Sequence, residues 1–196
     1  MRAVRRLAGV ATVVALAAAG CGTDRAAPAP VTPVVAAVQA GPEFNDTDVM
    51  YLRMTVAHHQ QGLEMVRIAE RSAVRPELRT LAAAVDVTQA DELAMAKRWL
   101  VSWAEPVGVD HDASAHTAHG GLPATGPAEM KALRTARGPA FDATFLNLFV
   151  AHQHNAVEMA AMETSGGRNG ETKAFADRVR RSRTDQIRQM LTLLNE

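Results

Sequence analysis

VAHHQQGLEM (residues 56–65) and VAHQHNAVEM (residues 150–159) are nearly one phrase, written twice at an offset of 94 residues. The chain has seven histidines, and these two stretches hold four of them. The offset carries well beyond the phrase. Asp48 falls on Asp142, Leu52 on Leu146 and Met65 on Met159. Past a polar break it carries Glu77 onto Glu171, Ala82 onto Ala176, Val85 onto Val179, Asp91 onto Asp185 and Leu100 onto Leu194, with no gap. Two segments that keep one register point to a duplicated helical hairpin. The fold class that follows is all-α, a ferritin-like four-helix bundle.

The segments read as helices because apolar residues recur at helical spacing, Ala is abundant and strand alternation is absent. Asn45, Asp46 and Thr47 are good N-cap types, which starts a first helix near 47 and runs it to 72. Pro76 and Pro139 suit first-turn positions. They give a second helix over about 76–103 and a third from 139 that ends before Gly166-Gly167. A fourth runs from about 170 to the end, so the repeats cover about 47–103 and 141–196. Residues 104–138 join them. This is longer than the roughly 2–8 residues usual between bundle helices and permits a crossover along the bundle. A short helix over 127–136 fits within it.

Ahead of the bundle domain (44–196), Met1–Arg6 carries three arginines, Leu7–Ala19 is apolar and uncharged, and Gly20-Cys21 follows. This reads as a secretory signal over residues 1–21. The apolar run is shorter than the roughly 20 residues a membrane span requires. Cys21 is the chain's one cysteine, and the small residues before it resemble a lipobox, with Cys21 as the lipidated residue. Ala18 stands where leucine is commoner, and an ordinary signal cleaved after Ala17-Ala18-Ala19 is the alternative. Residues 22–43, rich in Ala, Pro and Val, read as an extended tether. The domain is thus expected outside the cytoplasm, anchored to a membrane. Removing Arg2, Arg5 and Arg6 leaves 18 basic against 21 acidic residues, a charge of −3. Nucleic acid, which calls for a basic surface, is not expected as a partner. With no cysteine after Cys21, the domain cannot rely on disulfides.

At about 100° per residue, Tyr51, Met54, His58, Gly62 and Met65 share one face of the first helix. His152 takes the same place in the second repeat, with Phe145, Leu148, Ala156 and Met159 around it. Both histidines lie on the stripe expected to face the core. His59 lies at the edge of that stripe, and His154 on the far side of its helix. A buried imidazole left unpaired costs about 1–3 kcal/mol, so it takes a hydrogen bond or a metal ion. Imidazole with thioether favours soft ions such as Cu(I). The candidate ligands are Met54, His58, His59, Met65, His152 and Met159, with His154 if the helix distorts or faces a second site. Asp48 and Asp142 are expected to cap helices or to accept hydrogen bonds behind the ligands. The alternative is structural histidines in a non-catalytic interaction module. The remaining histidines, His111, His116 and His119, sit in VDHDASAHTAHGG (109–121), a tract suited to metal capture or to plain solvation.

Other chemistries find no support. A di-iron centre of the four-helix type needs Glu-x-x-His, but Thr55, Val56, Phe149 and Ala151 stand three residues before the four histidines. No zincin, P-loop or dinucleotide motif occurs, and no acid–base pair is evident, so no enzymatic activity is expected. Arg178, Arg180, Arg181, Arg183 and Arg188 read as a solvated face that could dock an anionic surface.

Three stretches together resemble a known family. FNDTDVMYLRMTVAHHQQGLEM (44–65) carries Asp48, Tyr51, Met54, His58, His59 and Met65. QADELAMAKRWL (89–100) carries Gln89, Glu92 and Trp99. GPAFDATFLNLFVAHQHNAVEM (138–159) carries Phe141, Asp142, Phe145, His152 and Met159. They resemble the signatures of the bacterial domain of unknown function 305 family, over about residues 44–196. The resemblance implies an exported ferritin-like helical protein, often a lipoprotein, with copper binding and copper tolerance in some members. Four departures weaken the second half. Gln153 replaces the second histidine of the pair, Leu148 replaces a methionine, Arg183 and Gln186 replace a Gln and a Glu, and the linker keeps only Met130. The resulting expectation is an exported copper-binding lipoprotein for metal capture, buffering or delivery. Its cofactor is a copper ion, with a protein partner or a second copy as further candidates. Its affinity is expected to fall as pH drops through the histidine range.

Overall fold

Five α-helices carry the residues described by the computed structural model, 38–108 and 125–196. They are α1 (Asp46–Ser72), α2 (Pro76–Ser102), α3 (Pro127–Thr135), α4 (Pro139–Gly166) and α5 (Gly170–Leu194), and no strand lies among the described residues. The signal segment with Cys21 and the tract with His111, His116 and His119 lie outside them. No helix among the described residues is long and apolar enough to cross a membrane.

The starts follow from local chemistry. Asn45 caps α1 in a capping box: its side chain accepts from Asp48 N at 3.1 Å, and Asp48 Oδ2 accepts from Asn45 N at 2.7 Å. Three helices, α2, α3 and α4, instead begin on proline with no side-chain cap. The ring presets φ, and the absent N–H is one the helix start leaves unpaired anyway. Gly138, at φ 58°, makes the reversal from α3 into α4 in a region that side chains avoid.

Packing pairs α1 with α2 and α4 with α5, and α1 lies against α4 along the seam between these two hairpins. The short α3 crosses α1 and α4, burying Met130 and Leu133. Two apolar clusters result. One gathers Met65, Leu81, Val85, Phe145, Leu146 and Met190. The other gathers Tyr51, Leu52, Ala96, Met159, Phe175 and Val179. The 94-residue offset exchanges them: Leu81 falls on Phe175, Val85 on Val179, Met65 on Met159, while Tyr51 falls on Phe145 and Ala96 on Met190. Between the clusters each long helix contributes polar residues to one layer.

Asp48 and Asp142 tie the hairpins together reciprocally. Asp142 accepts Val74 N at 2.9 Å and Arg75 N at 3.0 Å from the α1–α2 turn. Asp48 accepts Arg168 N at 3.1 Å and Asn169 N at 3.0 Å from the α4–α5 turn. Residues 168 and 169 are 74 and 75 shifted by 94, so both carboxylates perform one task. Each first-turn Asp holds the turn of the other hairpin.

The chain ahead of α1 is docked, and the boundary of the expected tether moves. Val38 O accepts from Trp99 Nε1 at 2.9 Å, Gly41 O from Trp103 Nε1 at 3.0 Å, and Phe44 stacks on Trp103 with centroids 4.3 Å apart. Two indole N–H groups need acceptors where α2 ends, and the backbone of residues 38–41 supplies them. The linker is held on α1 as well. Arg53 Nε donates to Gly108 O at 2.7 Å, and the Gln61 amide pairs with both Thr125 N and Thr125 O.

Candidate metal centre

The polar layer takes two residues from each long helix: His58 and His59 from α1, Gln89 and Glu92 from α2, His152 and Gln153 from α4, Arg183 and Gln186 from α5. The offset pairs them in the same order, His58 with His152, His59 with Gln153, Gln89 with Arg183 and Glu92 with Gln186. The hydrogen bonds keep this correspondence. His59 Nε2 lies 2.7 Å from Glu92 Oε2, and Gln153 Nε2 donates to Gln186 Oε1 at 2.6 Å.

Charge separates the halves. Arg183 has no exposed side-chain surface; it reaches from α5 to donate from Nη2 to Glu92 Oε2, and Nη2 stands 3.4 Å from His59 Nε2. The expectation of a solvated arginine face is therefore corrected at Arg183. Position 183 lies four residues from Val179 and four from Ile187, on the buried stripe, and the Glu92 carboxylate compensates its desolvation. Arg178, Arg180, Arg181 and Arg188 are exposed, the last three paired with Asp177 or Asp185.

Burial pushes Glu92 upward, but the His59 hydrogen bond and the Arg183 charge outweigh it and hold the carboxylate below its usual range. Burial holds His59 below the usual histidine range, against the pull of Glu92. The first half is thus an Arg⁺–Glu⁻ pair with a neutral imidazole. His59, expected at the edge of the apolar stripe, is fully inside and committed to this group.

His58 and His152 meet across the α1–α4 seam. Their rings stack, with centroids 3.7 Å apart and planes 9° from parallel. Phe149 stacks on His152 at 5.4 Å, Phe145 on Phe149 at 5.0 Å, and Phe141 on Phe145 at 6.3 Å. His152 is 1% exposed, and neither ring nitrogen has a hydrogen-bond partner among the described residues; the Gln89 amide is in the same position. Burial first, then the neighbouring His59 and Arg183, pull His152 down to about 3, so its ring is neutral at physiological pH. Gly62 makes the room. A Cβ there would meet the Gln89 side-chain amide oxygen, Oε1, and come within 2.8 Å of His152 Nε2.

These atoms suit a soft ion. Among the described residues, no three His, Cys, Asp or Glu side chains gather around one point. Further donors for an ion at His58 and His152 would be an amide oxygen such as Gln89 Oε1, which lies beside His152, or thioether sulfur, which Cu(I) prefers. Met54 and Met159 are both buried in the cluster on one side of the layer. Met65 lies in the opposite cluster, where its sulfur accepts from Thr125 Oγ1 at 3.7 Å. Imidazole lone pairs lie in the ring plane, so stacked rings do not aim at a common point. Shared ligation requires one ring to turn about its Cβ–Cγ bond. His154 is exposed and off the layer, and Asp48 and Asp142 are occupied at the turns.

Two expectations change. Proton competition at His152 moves from the ordinary histidine range to near pH 3, so affinity that is flat between about 5 and 7.5 does not count against ligation there. The sequence reading also did not assemble the layer. Gln89, Glu92, Arg183 and Gln186 were visible only as a signature and its departures. The offset that pairs the hairpins was the signal that places all four together. Glu163 was missed outright: it is fully buried near the end of α4, and burial with the Asp48 carboxylate raises it to about 8.

The model of the family described as domain of unknown function (DUF305) matches residues 48–194, and the chain belongs to that family. A protein from Streptomyces coelicolor described as secreted shares 31% identity and a TM-score of 0.71, over 76% of this chain and 92% of that one. A fragment from Deinococcus radiodurans shares the fold at 21% identity and a TM-score of 0.68, over 79% and 99%. CopM in its Cu(I)-bound form shares 27% identity and a TM-score of 0.65, over 77% and 97%; that protein is also known in Cu(II)- and Ag-bound forms. No curated protein matches the chain.

Proposed function

We propose that this member of the DUF305 family is an exported, non-enzymatic protein that captures a copper ion at the seam between its hairpins, for buffering or delivery. The single observation that carries the proposal is His152. It is a wholly buried, neutral imidazole, stacked on a second histidine, with no hydrogen-bond partner on either nitrogen among the described residues. Leaving such a group unpaired costs stability, and an ion taken up there would satisfy it. His58 and His152 are assigned as the nitrogen ligands, and Met54 and Met159 as the sulfur ligands. CopM, seen with copper and silver bound, supports this chemistry for the shared fold. The family relative described as secreted supports export, and a lipid anchor at Cys21 goes with it. The matched clusters and reciprocal Asp contacts support a duplicated hairpin forming a ferritin-like four-helix bundle.

Titration of the purified chain with Cu(I), Cu(II) and Zn(II), beside a His58→Ala/His152→Ala variant, tests this reading. Cu(I) is expected to bind the wild type at least tenfold more tightly than the variant. Equal affinity would return the histidines to a structural role. That second reading draws on the aromatic column, in which both imidazoles continue the Phe141–Phe145–Phe149 stack. A deletion of residues 110–120 measures the contribution of His111, His116 and His119 separately.

A further inference from the structure

We propose that a cavity at the α1–α2 turn is a docking site for a short, non-helical apolar peptide segment of another protein. The site is separate from the copper site and independent of it. The cavity holds about 270 Å³ between that turn, the first turns of α4 and the end of α5, and is lined by Val74, Arg75, Ala143, Leu146, Leu193 and Leu194. This is near the lower end for ligand clefts, roughly 300 Å³, and suits a few side chains. Val74, 51% exposed, leaves apolar surface at its rim.

The α4–α5 turn shows what such a cavity takes. The offset of 94 carries the six lining residues onto Arg168, Asn169, Val49, Leu52, Trp99 and Leu100. There a non-helical stretch of this chain, residues 38–44, is seated. Trp99 Nε1 donates to Val38 O at 2.9 Å, and Asn169 Nδ2 donates to Gly41 O at 3.1 Å and to Glu43 O at 3.0 Å. Arg168 Nη2 donates to the Glu43 carboxylate at 3.1 Å. Ala40 and Phe44 pack on the apolar cluster that contains Leu52, Trp99 and Leu100. The turn backbones correspond as well, because Asp142 holds Val74 N and Arg75 N as Asp48 holds Arg168 N and Asn169 N.

The stretch that the offset sets against 38–44 is 132–138, and it is spent on the end of α3 and the reversal at Gly138. The α1–α2 cavity is thus a matching cradle that the corresponding stretch of chain does not cover. Its substitutions state the chemistry of the occupant. Val74 stands for Arg168, so the place that faces an acid at the occupied cradle faces an apolar residue here. Leu193 stands for Trp99 and replaces an indole donor with apolar surface. Arg75 stands for Asn169 and, like it, presents N–H donors. One arm donates to Leu193 O at 2.5 Å and the other pairs with the exposed Glu196. An exposed pair of this kind is weak, and a carbonyl of the incoming peptide takes the place of Glu196. The occupant therefore has apolar side chains, carbonyls turned to Arg75, and no acid opposite Val74.

Two fluorescent peptides probe the full chain by anisotropy. One has the sequence of residues 38–44, VQAGPEF, and the other carries Glu43→Val. The valine peptide is expected to bind the wild type about fivefold more tightly than the glutamate peptide, and Val74→Arg, which installs the residue of the occupied cradle, is expected to reverse that preference. Ala143 is exposed, and Ala143→Trp is expected to weaken the valine peptide about tenfold by placing an indole in the space it needs. Thermal melts of each variant without peptide establish folding, and Val74→Arg alone decides the matter should Ala143→Trp melt early. Unchanged binding of the valine peptide to a folded Ala143→Trp, or one and the same preference in the wild type and Val74→Arg, would overturn the inference. Self-association of the wild type that Ala143→Trp abolishes would also overturn it, because the occupant would then be a second copy.

Discussion

The two halves of the polar layer share one plan and differ in charge. In one half His59 meets Glu92, and an arginine from the other hairpin joins them. In the other half Gln153 meets Gln186, with no charged group in the pair. The sequence positions correspond one for one at the offset of 94, and the difference between them is one of side-chain chemistry. Positions related by the offset of 94 keep a buried hydrogen bond, His59 to Glu92 and Gln153 to Gln186, but only the first pair can titrate. The neutral amide pair carries no charge to compensate, although Gln153 Oε1 is buried with no hydrogen-bond partner among the described residues. The charged half depends on every one of its members.

The largest expected contrast lies there. Glu92→Gln strands the Arg183 charge in the core and is expected to cost about 3–5 kcal/mol, read by urea denaturation. Gln186→Ala, at the mirror position, breaks a neutral bond and is expected to cost about 1 kcal/mol. Equal costs would mean that Arg183 is solvated in solution. The two turn-holding carboxylates offer a smaller contrast. Asp142 accepts two backbone N–H groups, and Asp48 accepts three, counting Asn45. Asp142→Ala is expected to cost about 3 kcal/mol and Asp48→Ala about 1 kcal/mol more. At the seam, Gly62→Ala is expected to cost about 2 kcal/mol by overpacking against Gln89 and His152. Ala156→Gly, its mirror, is expected to cost about 1 kcal/mol through helix propensity alone.

The smallest effects are in the pH dependence, where His152 and Glu163 act with opposite sign. His152 is depressed from 6.5 to about 3, so the unfolded chain binds its proton first, and stability falls as pH drops from 6.5 towards 3. Glu163 is raised from 4.5 to about 8, so the folded chain holds its proton longer, and stability falls as pH rises from 4.5 to 8. The two oppose each other between 4.5 and 6.5, where melting temperature is expected to be nearly flat. Glu163→Gln removes the decline above pH 6.5, and a variant that keeps it would locate the decline elsewhere.

Much of this was legible in the sequence. The offset of 94 located the hairpins, and helix starts at Pro76 and Pro139 matched their local chemistry. The facing of His58 and His152 into the core followed from helical periodicity. Periodicity assigns a residue to a face but cannot show that a charge on that face has a partner 91 residues away. For that reason Arg183 read as solvated, although its helical position was already the buried one. Glu163 was illegible for a related reason. Its mirror position is Ala69, so the offset gave no sign of it, and burial first, then the approach of Asp48 from α1, makes it unusual. The docking of residues 38–44 escaped because a stretch rich in alanine, proline and valine reads the same whether it is free or held by two indoles.

X-ray absorption at the copper edge of the Cu(I)-loaded chain, in the wild type and in His58→Ala/His152→Ala, asks whether the seam holds the ion. The expected wild-type spectrum shows imidazole nitrogen together with thioether sulfur, and the imidazole scattering disappears in the variant. An identical spectrum from both proteins would contradict a copper site between the hairpins.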